Sequence, residues 1–478
     1  MGIERRGVAR SARIAAGVVG VAAVAATVGV VFFVPLPGLT AEPRSAVVSP
    51  APAEEVRTCP GGLVRLSDDA GQDATAISTI GAPSVTSFSS TAPDPLTISS
   101  LADPDDLAGR ADAAPTRVAL PAGAQDGSTL FGAAQSQVAA TPEIAGLAAA
   151  ACTQPSADSW IVAGATTTGR TSFLTLANAS DVAAKVDVAV AAEQGPIEAP
   201  GVRGIDIPPR STRVLSLAGL APNVVSPVLH VTSTIGAVSA SVQQSVVRGL
   251  EPGGVEVVGP SSGPSTTATI TGIEVQGSAA ISDRLADPGA ADLQSILRLY
   301  LPGTEPAAVR IHIQGETEGS AATDYQVGLT PGVVTDFPLQ DIPDGTYTVT
   351  LVSDQPVVVG ARTSVVSDAG ADLAWYPSVE LQADSFLAVV PAATGSRIHL
   401  YNPTDAEATA TVDGPGGAAT TTIPPRSTRT FDLAPNQGYT VSTSTPMASS
   451  VSLFGGGQLA SFGIAPPDAA SPPVLVYG

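Results

Sequence analysis

The chain has 478 residues, of which 22 are Lys or Arg and 43 are Asp or Glu, so its formal net charge is −21. Charged residues make up only 14% of the chain, whereas Gly (48) and Pro (42) are abundant. This composition excludes a coiled coil, a collagen and a nucleic-acid-binding protein, because contact with phosphates requires a basic surface. The length predicts two to four domains.

An uncharged apolar run occupies residues 14–34 and follows a basic segment with four arginines. A helix of that length would reach about 31 Å, which matches the roughly 30 Å hydrocarbon core of a bilayer. We therefore expect residues 1–40 to form a cytoplasmic basic tip and a single-pass anchor in the lipid bilayer, with the C-terminal bulk extracytoplasmic. A cleaved signal peptide is the alternative, although Leu39-Thr40-Ala41 is a poor cleavage site.

The only two cysteines, Cys59 and Cys152, are expected to form a disulfide in an oxidising compartment. A reactive or metal-binding thiol is the alternative, but neither cysteine has His or basic neighbours at ligand spacing. Residues 41–58, rich in Pro and Ala, predict a stalk. Residues 59–152 predict a mixed strand and loop region that the disulfide closes.

Local patterns within this region predict two strands and one helix. Residues 76–80 and 84–88 are short strand-like runs separated by a Gly-Ala-Pro turn. Thr141-Pro142-Glu143 resembles a helix start, which predicts a short helix through Ala151.

Internal repetition is the clearest feature of the remaining sequence. The heptapeptide IPPRSTR at residues 207–213 recurs unchanged at residues 423–429. Matching blocks precede and follow each heptapeptide, and a diverged copy lies between them. The repeats predict three units, residues 153–260, 261–380 (with a linker) and 381–478, each the size of a sandwich domain.

The repeats alternate apolar and polar residues with period two, for example at residues 186–190, 311–314 and 347–351. This alternation is typical of half-buried antiparallel strands. We predict a mainly β protein with tandem antiparallel β-sandwich (Ig-like) units after one N-terminal transmembrane helix. A β-propeller ranks second, because its blades would be shorter.

The heptapeptide itself has a structural explanation. Its two prolines suit a strand edge or turn, and Arg210 and Arg213 are expected to reach carboxylates across the sheet surface. A pair of ligand sites at the two heptapeptides is the alternative.

Four landmarks carry a resemblance to a known family: LAAAAC at residues 147–152 leading to Trp160, LTLAN at 174–178, DQPVV at 354–358 and DLAWYP at 372–377. Together they resemble an actinobacterial family of large, N-terminally anchored extracytoplasmic proteins built around a domain of unknown function. The resemblance implies placement and architecture, but no activity and no site residues.

A search for chemistry finds no convergent reactive set. His230, His312 and His399 fall in three different units, so we interpret them as surface or strand-face residues. The G-x-S-x-G match at residues 259–263 lies in a polar linker and lacks the strand-to-helix turn of a nucleophile elbow.

Two acidic clusters and two tryptophans are the remaining candidates for functional residues. Asp68-Asp69 and residues 103–106 could hold Ca²⁺, but solvated loop tips are the simpler interpretation. Trp160 and Trp375 lie at unit boundaries, which favours a core or interface role. No catalytic residue, cofactor or metal site is predicted, and the interfaces between units are expected to hold no reactive groups.

The leading hypothesis is a non-catalytic, membrane-anchored scaffold or binding module of the cell envelope, with an unknown envelope protein or polysaccharide as partner and no nucleic acid. The alternative is an envelope carbohydrate-acting hydrolase or transferase that uses carboxylates from different units. A ligand sensor is disfavoured, because only a short basic segment precedes Ile14.

Overall fold

A computed structural model describes residues 15–24, 45–48, 54–66, 77–91, 94–102, 111–122, 129–287, 289–368, 370–382, 385–466 and 474–477. Contacts divide the chain into two units, one formed by residues 1–51 with 471–478 and the other by residues 52–470. The first unit contains helix α1, residues 15–24, and an antiparallel pair of β1 (Ser45–Val48) with β35 (Val474–Tyr477).

The predicted membrane span falls in this first unit. Among the described residues, no helix has both the length and the hydropathy that crossing a bilayer requires. Helix α1 covers part of the predicted span, and the rest of residues 14–34 lies outside the described residues. The anchor stays a prediction.

The second unit is mainly β, as the period-two alternation predicts, and its paired strands are antiparallel. We divide it by its sheets into segments A (54–152), B (153–260), C (261–380) and D (381–466). Segment A holds three small sheets with strand orders β2-β7-β6, β3-β4 and β5-β8-β9. Its strands are β2 Glu55–Cys59, β3 Leu63–Leu66, β4 Ile77–Ile80, β5 Ser84–Ser89, β6 Thr97–Ser100, β7 Thr116–Leu120, β8 Phe131–Ala140 and β9 Ala145–Ala151.

Segment B has two sheets, in the orders β10-β16-β12-β13 (with β14 on β12) and β15-β11-β17-β18. Its strands are β10 Asp158–Ile161, β11 Arg170–Asn178, β12 Ala184–Ala192, β13 Gly195–Ile197, β14 Ile205–Ile207, β15 Ser211–Ser216, β16 Val228–Ile235, β17 Ser239–Arg248 and β18 Glu251–Val258, with the short helix α2 at Leu217–Leu220. Buried residues of both sheets form one hydrophobic core.

Segment C is organised around one long strand, β24, whose first half pairs with β19 and β21 and whose second half pairs with β20 and β25. Strands β22 and β23 flank β21 and β20. The elements are β19 Ser265–Val275, α3 Ser278–Arg284, β20 Ile296–Tyr300, β21 Ala307–Gly315, β22 Ala322–Leu329, β23 Val334–Pro338, β24 Gly345–Ser367 and β25 Gly370–Pro377. Short 3-10 turns occur at Ala111–Ala113 and Ala291–Leu293.

Segment D repeats the arrangement of segment B, with sheets β26-β33-β28-β31 (and β34 on β33) and β27-β32-β29-β30. Its strands are β26 Leu381–Gln382, β27 Ser385–Val390, β28 Ser396–Tyr401, β29 Ala408–Gly414, β30 Gly417–Ile423, β31 Thr428–Asp432, β32 Gln437–Thr443, β33 Met447–Gly455 and β34 Gln458–Gly463. Buried residues of both sheets form one core, to which segment A also contributes.

The two heptapeptides occupy the same place in segments B and D. Arg210 and Arg426 both have positive φ and each pairs with an aspartate, Asp181 at 2.7 Å and Asp405 at 2.9 Å. A buried asparagine, Asn178 in segment B, donates through Nδ2 to the carbonyls that flank the turn. The prediction that Arg210 reaches a carboxylate is confirmed.

The predicted helix from Thr141 through Ala151 is wrong. Residues 145–151 form strand β9, which pairs with β8. An Ala-rich run has high helix propensity, but here the alanines are small residues on a strand that is crowded by three other strands, as described below. The predicted strands at 76–80 and 84–88 are confirmed as β4 and β5.

Candidate functional site

Four strands, β9, β18, β25 and β34, meet in the middle of the second unit, and we call them the axial strands. Each is the last strand of its segment and follows its hairpin partner in the chain. Contacts run in a closed circuit, from β9 to β18, β25, β34 and back to β9. The circuit brings together segments that are hundreds of residues apart in sequence.

An acidic side chain, Asp372, lies at the centre of this circuit. Its Oδ1 accepts hydrogen bonds from the backbone N–H groups of Val255 (3.3 Å) and Leu373 (3.0 Å). Its Oδ2 accepts from those of Leu147 (3.0 Å) and Leu459 (3.2 Å). One carboxylate therefore binds one N–H donor from each of the four axial strands.

A second carboxylate, Glu256, forms the next layer, two residues further along strands β9, β18 and β34. Its Oε1 accepts from the N–H groups of Ala149 (3.0 Å) and Val257 (2.9 Å), and its Oε2 accepts from that of Ser461 (3.2 Å). Glu256 is fully buried and Asp372 is 1% exposed. The two acids come from different segments, B and C.

Small residues make room for both carboxylates. In strands β9 and β18 the position equivalent to Asp372 is a glycine, Gly146 and Gly254 respectively. Both glycines have positive φ. A Cβ at Gly146 would overlap Asp372 Oδ1, and one at Gly254 would lie 2.9 Å from the Cα of Asp372. The positions that correspond to Glu256 in the other three strands are buried alanines, Ala148, Ala374 and Ala460.

The two carboxylates bind backbone N–H groups that the circuit buries without a strand partner. An axial strand has a hydrogen-bonded neighbour on one side only, so every second N–H points away from its sheet. Such donors are costly when they are buried without a partner. Seven of them are bound by Asp372 and Glu256, which lets four sheet edges converge without pairing.

The side chains of the axial strands interlock the segments in the same cyclic order. Val255 of segment B packs in a core with residues of segment A, and Leu373 of segment C packs in the core of segment B. Leu459 of segment D completes the core of segment C, and Leu147 of segment A completes that of segment D. Each segment therefore fills part of its neighbour's interior.

A second polar network lies between segments C and D. His399 is fully buried, and its Nδ1 lies 2.5 Å from Glu316 Oε2 while its Nε2 lies 2.8 Å from Ser452 Oγ. Gly272, with positive φ, leaves space for the ring, because a Cβ there would lie 2.5 Å from His399 Cδ2. Carboxylate, imidazole and hydroxyl stand in the order of a hydrolytic triad.

The hydroxyl of this network is already engaged. Ser452 Oγ donates to Glu274 Oε1 at 3.2 Å, and Glu274 is itself buried and pairs with Arg397. Burial raises the pKa of Glu316, but the charge of His399 and its hydrogen bond outweigh this effect and lower it overall. The arrangement is a buried network with satisfied hydrogen bonds, which links segments C and D.

A third cluster joins segments B and C. Arg298, fully buried, binds both carboxylate oxygens of Asp336, at 2.8 and 3.0 Å, and its guanidinium lies 4.7 Å from the ring centroid of Trp375. The same guanidinium donates to three backbone carbonyls of segment B, at residues 164, 225 and 227. The Trp375 indole donates to Gln244 at 2.8 Å.

The predicted site residues fall in different surroundings. Cys59 and Cys152 form the predicted disulfide. Trp375 and Trp160 are buried in the core of segment B. The G-x-S-x-G match lies between strands β18 and β19, and the acidic clusters at residues 68–69 and 103–106 lie outside the described residues.

The three histidines do not meet, and one of them corrects the sequence interpretation. His230 pairs with Asp158 and His312 pairs with Asp324, both on partly exposed strand surfaces. His399 is on a strand but wholly buried. The expectation that the interfaces hold no reactive groups is wrong, since Asp372, Glu256 and the His399 network all lie between segments.

An open cleft of about 380 Å³ is formed where strand β8 approaches residue 392 of segment D. Its lining includes Ser84, Gln137, Val138 and Ala140, and no ionisable side chain contributes to it. Within the part of the chain that the structure describes, no group of three or more His, Cys, Asp or Glu residues could hold a metal ion.

The comparisons with known proteins give a family but no activity. The model of a family of unknown function, DUF5719, matches residues 108–444. No curated protein matches the chain. One similar solved structure, Thermotoga maritima 1070, has 18% identity and a TM-score of 0.20, and the match covers 24% of this chain and 93% of that one.

Two further solved structures are similar over more of the chain. The chicken CNTN1 FN1-FN3 domains have 12% identity and a TM-score of 0.11, with 67% of this chain and 98% of that one covered. A tetra-tandem repeat in the extending region of a large adhesion protein has 11% identity and a TM-score of 0.11, with 89% and 95% covered. Scores this low carry no argument about fold or function.

Proposed function

The chain belongs to the DUF5719 family of unknown function, and from that premise we propose that it is a non-catalytic scaffold or binding module of the cell envelope. In this proposal residues 14–34 anchor it in the membrane, and the segments form Ig-like sandwich units outside the cytoplasm. The envelope location agrees with the disulfide, because such bonds persist in oxidising compartments. The exposed valines of helix α1, among them Val18 and Val21, agree with an anchor.

One observation carries the non-catalytic part of the proposal. The groups best suited to acid–base or nucleophilic chemistry, Asp372, Glu256 and the Glu316–His399–Ser452 network, are buried. Each of them makes hydrogen bonds to another segment of the chain. A substrate would have to displace these contacts, whereas a scaffold benefits from them, since they fix the segments relative to one another.

The test is photo-crosslinking in intact cells with the full chain. A photoreactive residue replaces Val138, which lines the cleft and is 60% exposed, or Leu250, which is 95% exposed and lies outside it. The buried position Ala134 serves as the matched control on the same strand β8. We expect adducts with an envelope protein or polysaccharide from an exposed position and none from Ala134. Adducts from no position would contradict a binding role.

The alternative is an envelope carbohydrate-acting hydrolase or transferase. It is favoured by the two acids from different segments and by the triad-like order of Glu316, His399 and Ser452. The test incubates the full chain with purified envelope polysaccharides and follows new reducing ends. Turnover that Ser452→Ala or Glu256→Gln abolishes would support this alternative, provided that Ser449→Ala, a buried neighbour on the same strand, leaves it unchanged.

A further inference from the structure

We propose that Asp372 and Glu256 form a proton-dependent closure of the four axial strands. The strands are held together tightly while at least one of the two carboxyl groups is protonated, and less tightly once both are ionised. The inference goes beyond a scaffold role, because it gives the module a conformational response to pH. It rests on the position of the two acids, the donors around them and the few charged groups on the described strands that surround them.

The two carboxylates are close enough to repel each other. Asp372 binds the N–H of Val255 and Glu256 binds the N–H of Val257, two residues further along strand β18. Two residues of a β-strand span about 6.6 Å. Two negative charges at such a distance in a buried site interact far more strongly than they would in water.

The surrounding elements offer little charge to offset this repulsion. Strands β8, β9, β33 and β34 contain no ionisable residue. On β17 and β18 the other charged groups are Arg248, bound to Asp292, and Glu251, which lies near Arg284 at the surface. The donors that hydrogen-bond to the two carboxylates are all backbone N–H groups.

Besides Asp372, strands β24 and β25 carry four ionisable groups, Tyr347, Asp354, Arg362 and Tyr376, and the hydroxyl of Tyr347 donates to the Pro343 carbonyl. Arg362 lies over the ring of Trp375 and donates to the Gln294 carbonyl. Tyr376 bonds to Thr363 and to the N–H of Glu274, and burial raises the pKa of its phenol. Asp354 of β24 accepts from the N–H of Ala308 in an exposed setting.

The direction of the pKa shifts agrees with this geometry. Burial raises the pKa of Asp372 to about 7, although the four N–H bonds oppose it. Burial also raises the pKa of Glu256, and the charge of Asp372 adds to the increase. A carboxyl with a raised pKa in the folded state stabilises that state below its unfolded pKa. For Asp372 this contribution is lost as the pH rises from about 4 through about 7.

The experiment is hydrogen–deuterium exchange on the full chain between pH 6 and 8.5, with rates corrected for the intrinsic pH dependence of exchange. The readout is the protection of peptides that contain residues 147–149 and 459–461. We expect this protection to fall by about tenfold or more across the range, since one pKa unit corresponds to a tenfold change. Constant protection in the wild-type chain would overturn the proposal.

Two variants make the test specific. Glu256→Gln keeps an oxygen for the Ala149 and Val257 donors but removes the acceptor of the Ser461 N–H. Glu256→Ala introduces the residue that occupies the equivalent position in the other three axial strands. Both are expected to reduce the pH-dependent loss of protection, because only the ionisation of Asp372 remains. The surface variant Asp405→Asn, which disrupts the exposed pair with Arg426, is expected to retain it. A wild-type pH response in both Glu256 variants would exclude the closure.

Discussion

The carboxylate of Asp372 accepts a hydrogen bond from the backbone N–H of Leu147, a residue that lies 225 positions earlier in the chain. This contact joins segment A to segment C within the circuit of axial strands. It exists because Gly146, immediately before Leu147, leaves the space that the carboxylate occupies. The pair illustrates how the segments are linked, through backbone donors on one side and a single acidic side chain on the other.

Gly146→Ala should be strongly destabilising. The added Cβ would overlap Asp372 Oδ1, and the φ of +143° disfavours an L side chain. We expect the free energy of unfolding to fall by about 3–5 kcal/mol, from backbone strain together with overpacking. Denaturant unfolding of the full chain measures the change.

The matched control is Gly195→Ala. Gly195 also has a positive φ, +107°, but nothing lies within 4 Å of an added Cβ. Its cost should be limited to strain, about 1–2 kcal/mol. Equal losses in the two variants would show that the carboxylate is not fixed against Gly146.

Arg298→Met should weaken the junction between segments B and C. Methionine keeps much of the apolar volume but leaves Asp336 without its guanidinium and three carbonyls without their donor. Breaking a buried pair on one side costs about 3–5 kcal/mol. The melting temperature and the denaturant midpoint should both fall.

Arg210→Met is the control, because Arg210 makes the same two-bond contact with Asp181 at the surface. Exposed pairs contribute little to stability, so this variant should unfold close to wild type. A similar loss in both arginine variants would argue against a special role for the buried pair.

The decline in the free energy of unfolding at acidic pH should also depend on Arg298. Burial raises the pKa of Asp336, but the charge and hydrogen bonds of Arg298 outweigh this and lower it overall. A carboxyl group whose pKa is lowered in the folded state stabilises that state above about pH 4. This contribution is lost as the pH falls through the pKa that the group has in the folded state. Arg298→Met should therefore show a flatter decline below pH 4, measured by unfolding at pH 2–6.

His399→Gln should destabilise the protein more than the same substitution at an exposed histidine. The substitution removes the imidazole that contacts Glu316 and disturbs the contact with Ser452, so we expect a loss of about 2–4 kcal/mol. His312→Gln alters a contact of similar length with Asp324 on an exposed strand and should change the unfolding curve little. Indistinguishable curves would contradict the assignment of His399 as a link between segments.

Reduction of the Cys59–Cys152 disulfide should lower stability, because it releases a closure across 93 residues of chain. The expected loss is about 2–5 kcal/mol, and the paired variant Cys59→Ser with Cys152→Ser should reproduce it. Since the chain has only two cysteines, thiol titration reports the bond directly. Two free thiols in the denatured, unreduced chain would contradict it.

Much of the strand structure could be predicted from local sequence. The alternation at residues 186–190 predicts a half-buried strand, and strand β12 covers it with alternate residues buried. The repeated heptapeptide predicts equivalent turns, and Arg210 and Arg426 occupy them with nearly equal φ. Such features depend on neighbouring residues, so period and turn chemistry suffice.

The axial site could not be predicted in this way. Its donors are backbone groups, which no side-chain pattern reveals, and its acids, Glu256 and Asp372, lie in different layers and different segments. A signal does exist: three alanines, Ala148, Ala374 and Ala460, correspond to Glu256 once the final strands of the segments are aligned. The alignment requires the strand register, and the helix predicted over residues 141–151 concealed it for the first segment.

The cyclic exchange of core residues has a consequence for synthesis. Leu147 and Ala149 complete a core whose other members lie mostly between residues 386 and 464, so segment A meets these partners only after segments B and C have been synthesised. Formation of such distant contacts is slow. Until segment D has been made, the side chains of Leu147 and Ala149 lack the core that covers them, and we therefore expect the nascent chain to benefit from chaperones that hold unfolded segments.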